Sequence, residues 1–118
     1  GLAFKGNTDD MRESPALGII PILEAEGATI KAFDPQAMKN ASTMLPKVQM
    51  ASSIEDALNQ ADGAVIMTEW DDFRHVSPTT LKTSLKTPTV VDLRNLYSVE
   101  AMSAAGLNYI SLGREGTA

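Results

Sequence analysis

Cysteine is absent from the 118 residues, and histidine occurs once, as His75. The first absence excludes disulfides, thiolate metal sites and a cysteine nucleophile within this chain. Aromatic residues make up 5% of the sequence, too few for a base-stacking platform. Positive charge is also scarce: ten Lys and Arg stand against fifteen Asp and Glu, a net charge of −5. A general nucleic-acid surface needs the opposite balance, because its affinity comes from releasing phosphate counterions. No apolar run approaches the ~20 residues of a membrane span, and Gly1–Lys5 has no signal-peptide pattern. The setting these absences imply is cytoplasmic. Repeats, low-complexity tracts and linkers are missing too, so residues 1–118 read as one domain.

What is present is a regular alternation of short apolar runs and helical patterns, and 43% hydrophobic residues suffice for a core. Gly1–Phe4 reads as the end of a first strand whose opening residues are missing. Ser14-Pro15 reads as a helix start, with an apolar face at Ala16, Ile19, Ile20 and Leu23, an internal Pro21 and a stop at Gly27. Strands are expected at Thr29–Phe33, Val48–Ala51, Gly63–Thr68, Thr89–Leu93 and Asn108–Leu112. Helices are expected near 36–44, after the Ser52-Ser53 cap, near 71–75 and 77–84, and at 98–105 before Gly106. The continuous apolar run Ala64-Val65-Ile66-Met67 suits a strand covered on both faces. The whole predicts an α/β fold, a Rossmann-like three-layer sandwich. Its parallel sheet would have about six strands, the first truncated, with helices on both faces.

Ligands of such sheets sit at the carboxyl ends of the strands. Three charged loops leave those ends: Lys5–Arg12, Glu69–Arg74 and Asp92–Asn95. Gly1–Thr8 nearly matches a GxxxxGK[ST] phosphate loop but has Asn7 where the lysine belongs, which rejects an NTPase. The GxGxxG fingerprint is also absent, so Asp34, placed where a ribose-binding acid would stand, reads better as a turn residue. Lys5 and Arg12 fit either a solvated charged loop or anion recognition, lysine as a point charge and arginine as a fork. Asp9-Asp10 and Asp71-Asp72 lack a third ligand at metal spacing, so no metal is expected. Trp70 fits ligand roofing or packing, and His75 a structural role. No nucleophile–base pair is recognisable, so no catalytic residue is assigned in this chain.

The segments Gly1-Leu2-Ala3-Phe4-Lys5, Thr8-Asp9-Asp10-Met11-Arg12-Glu13-Ser14-Pro15, Thr68-Glu69-Trp70 and Asp92-Leu93-Arg94-Asn95 together resemble the C-terminal, UDP-binding domain of the UDP-glucose/GDP-mannose dehydrogenase family. The resemblance runs through essentially the whole chain. It implies NAD-dependent oxidation of a nucleotide-sugar C6 alcohol to a carboxylate, through a cysteine carried elsewhere. UDP-glucose is the leading substrate, with a UDP-N-acetyl sugar or GDP-mannose as alternatives. It implies that Phe4, Lys5 and Arg94 contact the UDP-sugar and that Arg12 reaches NAD. NAD would be bound mainly by N-terminal and central domains outside this chain, in a homo-oligomeric whole. Gly6, where relatives commonly have proline, is expected to loosen the Lys5 loop. Alternatives of another class are a freestanding nucleotide-binding regulatory module and a flavodoxin-like interaction domain.

Overall fold

A computed structural model describes residues 1–111. Among these, helices alternate with parallel strands: α1 (Ala16–Ala25), β1 (Lys31–Ala32), α2 (Met38–Met44), β2 (Gln49–Met50), α3 (Ile54–Leu58), β3 (Ala64–Ile66), α4 (Asp71–Arg74), α5 (Pro78–Ser84), β4 (Thr89–Asp92), α6 (Val99–Ala104) and β5 (Asn108–Ser111). Local chemistry explains many of the boundaries. Ser53, Ser77 and Ser98 each accept a backbone N–H from the residue three positions on, at 3.0–3.1 Å, and so start α3, α5 and α6. Gly27 (φ +96°) and Gly106 (φ +81°) follow α1 and α6 in the left-handed conformation that lets a chain leave a helix. α1 itself begins at Ala16, one residue after Pro15, and Ser14 serves its first turn. Its hydroxyl accepts from Ala16 N–H and donates to the Leu2 carbonyl, tying α1 to the chain start.

The α/β class with parallel strands holds; among the described residues five short strands form two ladders, β1-β2 and β3-β4-β5, and a sixth is not confirmed. Leu112, the expected end of the last strand, lies outside the described residues. The expected first strand is not a strand. The chain bends at Ala3–Lys5, and its polar groups are taken up by side chains. Leu2 and Ala3 N–H donate to the Asp34 carboxylate at 2.8 and 3.0 Å, and the Ala3 carbonyl accepts from the Thr68 hydroxyl at 2.7 Å. One short segment thereby stands between the ends of β1 and β3, which do not pair with each other.

Two apolar clusters result. One gathers Leu2, Met11, Ala16, Ile20, Ala41 and Leu45 around α1 and α2. The other packs Leu58, Phe73, Leu81, Val90, Met102 and Tyr109 between α3–α6 and the longer ladder. The second cluster covers one face of that ladder. On the other, the register row Val65–Val91–Ile110 leaves Val65 37% and Ile110 50% exposed, so helices do not cover both faces of this ladder among the described residues.

Candidate functional site

Two buried carboxylates build the carboxyl edge of the fold. Asp34, two residues beyond β1, is fully buried and receives five N–H groups. Oδ2 accepts from Leu2, Ala3 and the Trp70 indole (3.1 Å); Oδ1 accepts from Gln36 and Ala37. Burial pushes its pKa up, but the four backbone N–H bonds outweigh burial and hold it below the usual carboxylate range. With both oxygens occupied and no exposure, Asp34 is a structural hub and is not available to a ribose. Trp70 is 4% exposed and is spent on this hub and on packing.

Asp92, the last residue of β4, is the second hub. It accepts from the N–H groups of Arg94, Leu96 and Tyr97 and from the Tyr109 hydroxyl at 2.6 Å. These bonds fold the Asp92–Tyr97 loop back on its strand and aim Arg94 across the sheet edge. The Tyr97 hydroxyl lies against the Phe73 and Val76 carbonyls at 2.6 and 2.8 Å. Burial, with the Asp92 charge adding to it, pushes its pKa up to about 12.

Arg94 does more than offer a charge. Its Nε donates to the Met67 carbonyl at 3.0 Å and its Nη2 to the Phe4 carbonyl at 2.7 Å. The guanidinium is therefore a strut that joins the end of β3 to the loop at Phe4, ninety positions away in sequence. Beside it Phe4 is half-buried and Lys5 exposed, with the Lys5 ammonium 5.5 Å from the Phe4 ring centre, within cation–π range. Arg94 thus meets the backbone of Phe4, and Lys5 follows Phe4 in the same loop.

The same loop is closed by Phe4 N–H on the Asp10 carbonyl at 3.0 Å. Gly6 presses on the Glu69 backbone carbonyl so closely that a Cβ would overlap it. This packing fixes the loop and does not loosen it. Asn7, Glu13 and Asn95 adopt positive φ in this loop and the Arg94 loop (62°, 59° and 55°). Such conformations in non-glycine residues gather at functional loops.

Arg12 stands apart. Its Nε and Nη2 grip Asp10 at 3.0 and 2.8 Å while its side chain is 87% exposed. Hydrogen bonds from Arg12, aided by the charges of Arg12 and Lys5, pull Asp10 down to about 2. Arg12 borders a shallow depression with Thr8, Asp10, Asn40 and Thr43, which Phe4, Lys5 and Arg94 do not line. Asn40 of α2 anchors that side by donating to the Asp9 carbonyl at 3.0 Å. Two cationic positions therefore flank one loop without sharing a pocket.

Sequence reasoning placed Asp34 in a turn and left Asp92 without a role. Their hub function depends on partners 31–36 and 17 residues away, for which local sequence carries no signal. His75 is exposed after α4. Among the described residues no group of three or more His, Cys, Asp or Glu is placed to hold a metal ion, and no helix is long and apolar enough to cross a membrane.

A family model for the UDP binding domain of the UDP-glucose/GDP-mannose dehydrogenase family matches residues 1–99. The chain is 42% identical over 114 residues to a UDP-glucose 6-dehydrogenase of Rhizobium meliloti, covering 97% of this chain and 26% of that protein. It is 44% identical over 115 residues to UDP-glucose 6-dehydrogenase TuaD of Bacillus subtilis, covering 97% of this chain and 25% of the relative. A solved UDP-glucose dehydrogenase from Pyrobaculum islandicum superposes with a TM-score of 0.72 at 30% identity, over 93% of this chain and 23% of that one. The chain thus spans about a quarter of the length of the relatives it matches.

Proposed function

From the premise that this chain belongs to the UDP-glucose/GDP-mannose dehydrogenase family, as its UDP-binding domain, we propose that residues 1–118 form the C-terminal UDP-sugar-binding domain of an NAD-dependent UDP-glucose 6-dehydrogenase. The observation that carries this reading is the Arg94 strut. It fixes the Phe4 carbonyl at the sheet's carboxyl edge, and the Lys5 ammonium stands exposed near the Phe4 ring of the same loop. An exposed lysine on a loop braced by an arginine suits the charge of a diphosphate. Phe4 and Lys5 bind substrate in this reading. Arg94 contributes positive charge and holds the loop in place.

Arg12, in its separate depression, is assigned to NAD. The residues here offer that cofactor little else, since no dinucleotide fingerprint is present and Asp34 is consumed internally. NAD supplies hydride acceptance in the whole enzyme and is held mainly by residues outside this chain. Oxidation of the sugar C6 alcohol, a homo-oligomeric assembly and a cytoplasmic setting are parts of the same proposal.

Calorimetry with UDP tests the site. Lys5→Ala is expected to weaken UDP binding ~10–100-fold, from the ~1.5–3 kcal/mol of a charged hydrogen bond. Equal affinity of the variant and the parent chain counts against Lys5. GDP and UDP titrated in parallel separate a uridine site from a general diphosphate site.

A further inference from the structure

Arg12 stands on an exposed loop, yet its guanidinium is not free to turn. Its side chain is 87% exposed, and an exposed Arg–Asp pair by itself holds little. Here the pair takes its orientation from the backbone. Oδ1 of Asp10 accepts the Arg12 backbone N–H at 2.9 Å. The Asp10 N–H donates to the Thr8 hydroxyl oxygen at 3.2 Å, and the Asp10 carbonyl accepts from Phe4 N–H at 3.0 Å. Next to it, Asn40 of α2 holds the Asp9 carbonyl at 3.0 Å. The carboxylate is thus aimed by its own loop before the guanidinium meets it. It also stays ionised throughout the neutral range, because hydrogen bonds from Arg12 pull it down to about 2.

The contact uses one edge of the guanidinium. Nε donates to Oδ1 at 3.0 Å and Nη2 to Oδ2 at 2.8 Å, a side-on fork. A guanidinium carries its N–H donors in one fixed plane. Spending the side-on pair therefore leaves the end-on pair, on Nη1 and Nη2, facing a set direction. No described residue bonds Nη1. Thr8, Asn40 and Thr43 supply further polar groups along the same depression.

We propose that Asp10 is the positioning residue for Arg12: it clamps the side-on edge of the guanidinium and presents the end-on edge to an oxygen of the NAD cofactor. The inference rests on the assignment of Arg12 to NAD. The same pair could serve instead as a plug that the cofactor must open. The clamp fits the geometry better, because the carboxylate is tied to the Arg12 backbone as well as to its side chain. A side chain fixed in advance spares the ligand the entropy of ordering it, a gain of ~2–12-fold in affinity.

The test follows the Arg12 guanidinium by NMR in the labelled 118-residue chain, with and without NAD, in the parent and in Asp10→Asn. Asparagine keeps an acceptor for the Arg12 backbone N–H and leaves the Phe4 bond to the backbone of residue 10 in place, so it removes the fork selectively. In the parent, NAD is expected to shift the Arg12 Nη signals while Arg12 Nε–H and the Asp10 carboxyl carbon stay where they were. In Asp10→Asn, exchange of Arg12 Nε–H is expected to quicken at least ~10-fold, and NAD affinity to fall ~2–12-fold. The lost negative charge would by itself favour an anion, so a fall reports lost orientation. The Phe4 and Lys5 amides should keep their parent shifts, which a general loosening of the loop would move. Release of Nε–H and of the Asp10 carboxylate when NAD binds, equal or tighter NAD binding by Asp10→Asn, or displaced Phe4 and Lys5 amides in that variant, overturns the role of Asp10. An Arg12 unmoved by millimolar NAD in the parent defeats the NAD assignment itself, and this inference with it.

Discussion

Replacing Asp34 by asparagine probes the hub on which the loop depends. The carboxylate serves five donors, three on Oδ2 and two on Oδ1, at 2.8–3.1 Å. Asparagine keeps one acceptor oxygen. In its better orientation the oxygen takes the place of Oδ2, and its NH₂ then confronts Gln36 and Ala37 N–H. Gln36 is exposed and recovers a bond from water, while Ala37 is fully buried and loses its partner. That orphan costs ~1–3 kcal/mol, and the three surviving bonds each lose about 1 kcal/mol of charge assistance. The sum is ~4–6 kcal/mol, a large share of the ~5–15 kcal/mol that stabilises a domain. In urea unfolding at pH 7 the midpoint should fall by about 2 M for an m-value near 2 kcal/mol/M. The charge also carries a pH signature. Because the folded pKa is depressed, the contribution is fully present above the unfolded value of about 4 and disappears as pH falls through the folded value. The variant should therefore lose stability less steeply than the parent chain below about pH 4. A loss under ~1 kcal/mol, with unchanged m and an unchanged acid limb, would refute the hub.

Gly6→Ala should force the loop off the Glu69 carbonyl and cost ~1–3 kcal/mol, the usual range for overpacking; thermal unfolding with amide shifts at Lys5 and Glu69 checks it, and an unshifted spectrum argues against the close approach. The Asp10 carboxyl should titrate near 2 by NMR and return toward the ordinary value in Arg12→Ala, whereas global stability stays nearly constant because the pair is exposed; an unaltered titration contradicts the ion pair. Tyr109→Phe removes the 2.6 Å bond to buried Asp92 and should cost ~1.5–3 kcal/mol in urea, with a neutral result opposing the role of Asp92. Tyr97, raised to about 12, contributes stability fully below the unfolded value near pH 10 and loses it as pH rises through about 12. Ultraviolet titration that ends near pH 10 would exclude that burial.

The elements that sequence revealed are those whose signals are local. Ser53, Ser77 and Ser98 start helices through their own hydroxyls, and Gly27 and Gly106 supply the positive φ of helix exits. The strands were placed correctly but overextended: Thr29–Phe33 contracts to Lys31–Ala32, because apolar character marks burial while a ladder needs a paired neighbour. Gly1–Phe4 failed as a strand for the same reason, its donors being claimed by Asp34. At the site, the motif residues Phe4, Lys5 and Arg94 were legible, and Arg94 meets the Phe4 carbonyl. The bracing function of Arg94 was not, since a guanidinium meeting a carbonyl ninety residues away leaves no trace in its neighbours.

The central claim is that the Phe4–Lys5 loop, braced by Arg94, receives UDP. Titrating the labelled 118-residue chain with UDP and following its NMR spectrum addresses it most directly. The account predicts saturable shifts at Phe4, Lys5 and the Arg94 guanidinium, with Arg12, Asn40 and Thr43 undisturbed. Saturable shifts confined to the Arg12 side of the loop, or a spectrum unmoved by millimolar UDP, would contradict it.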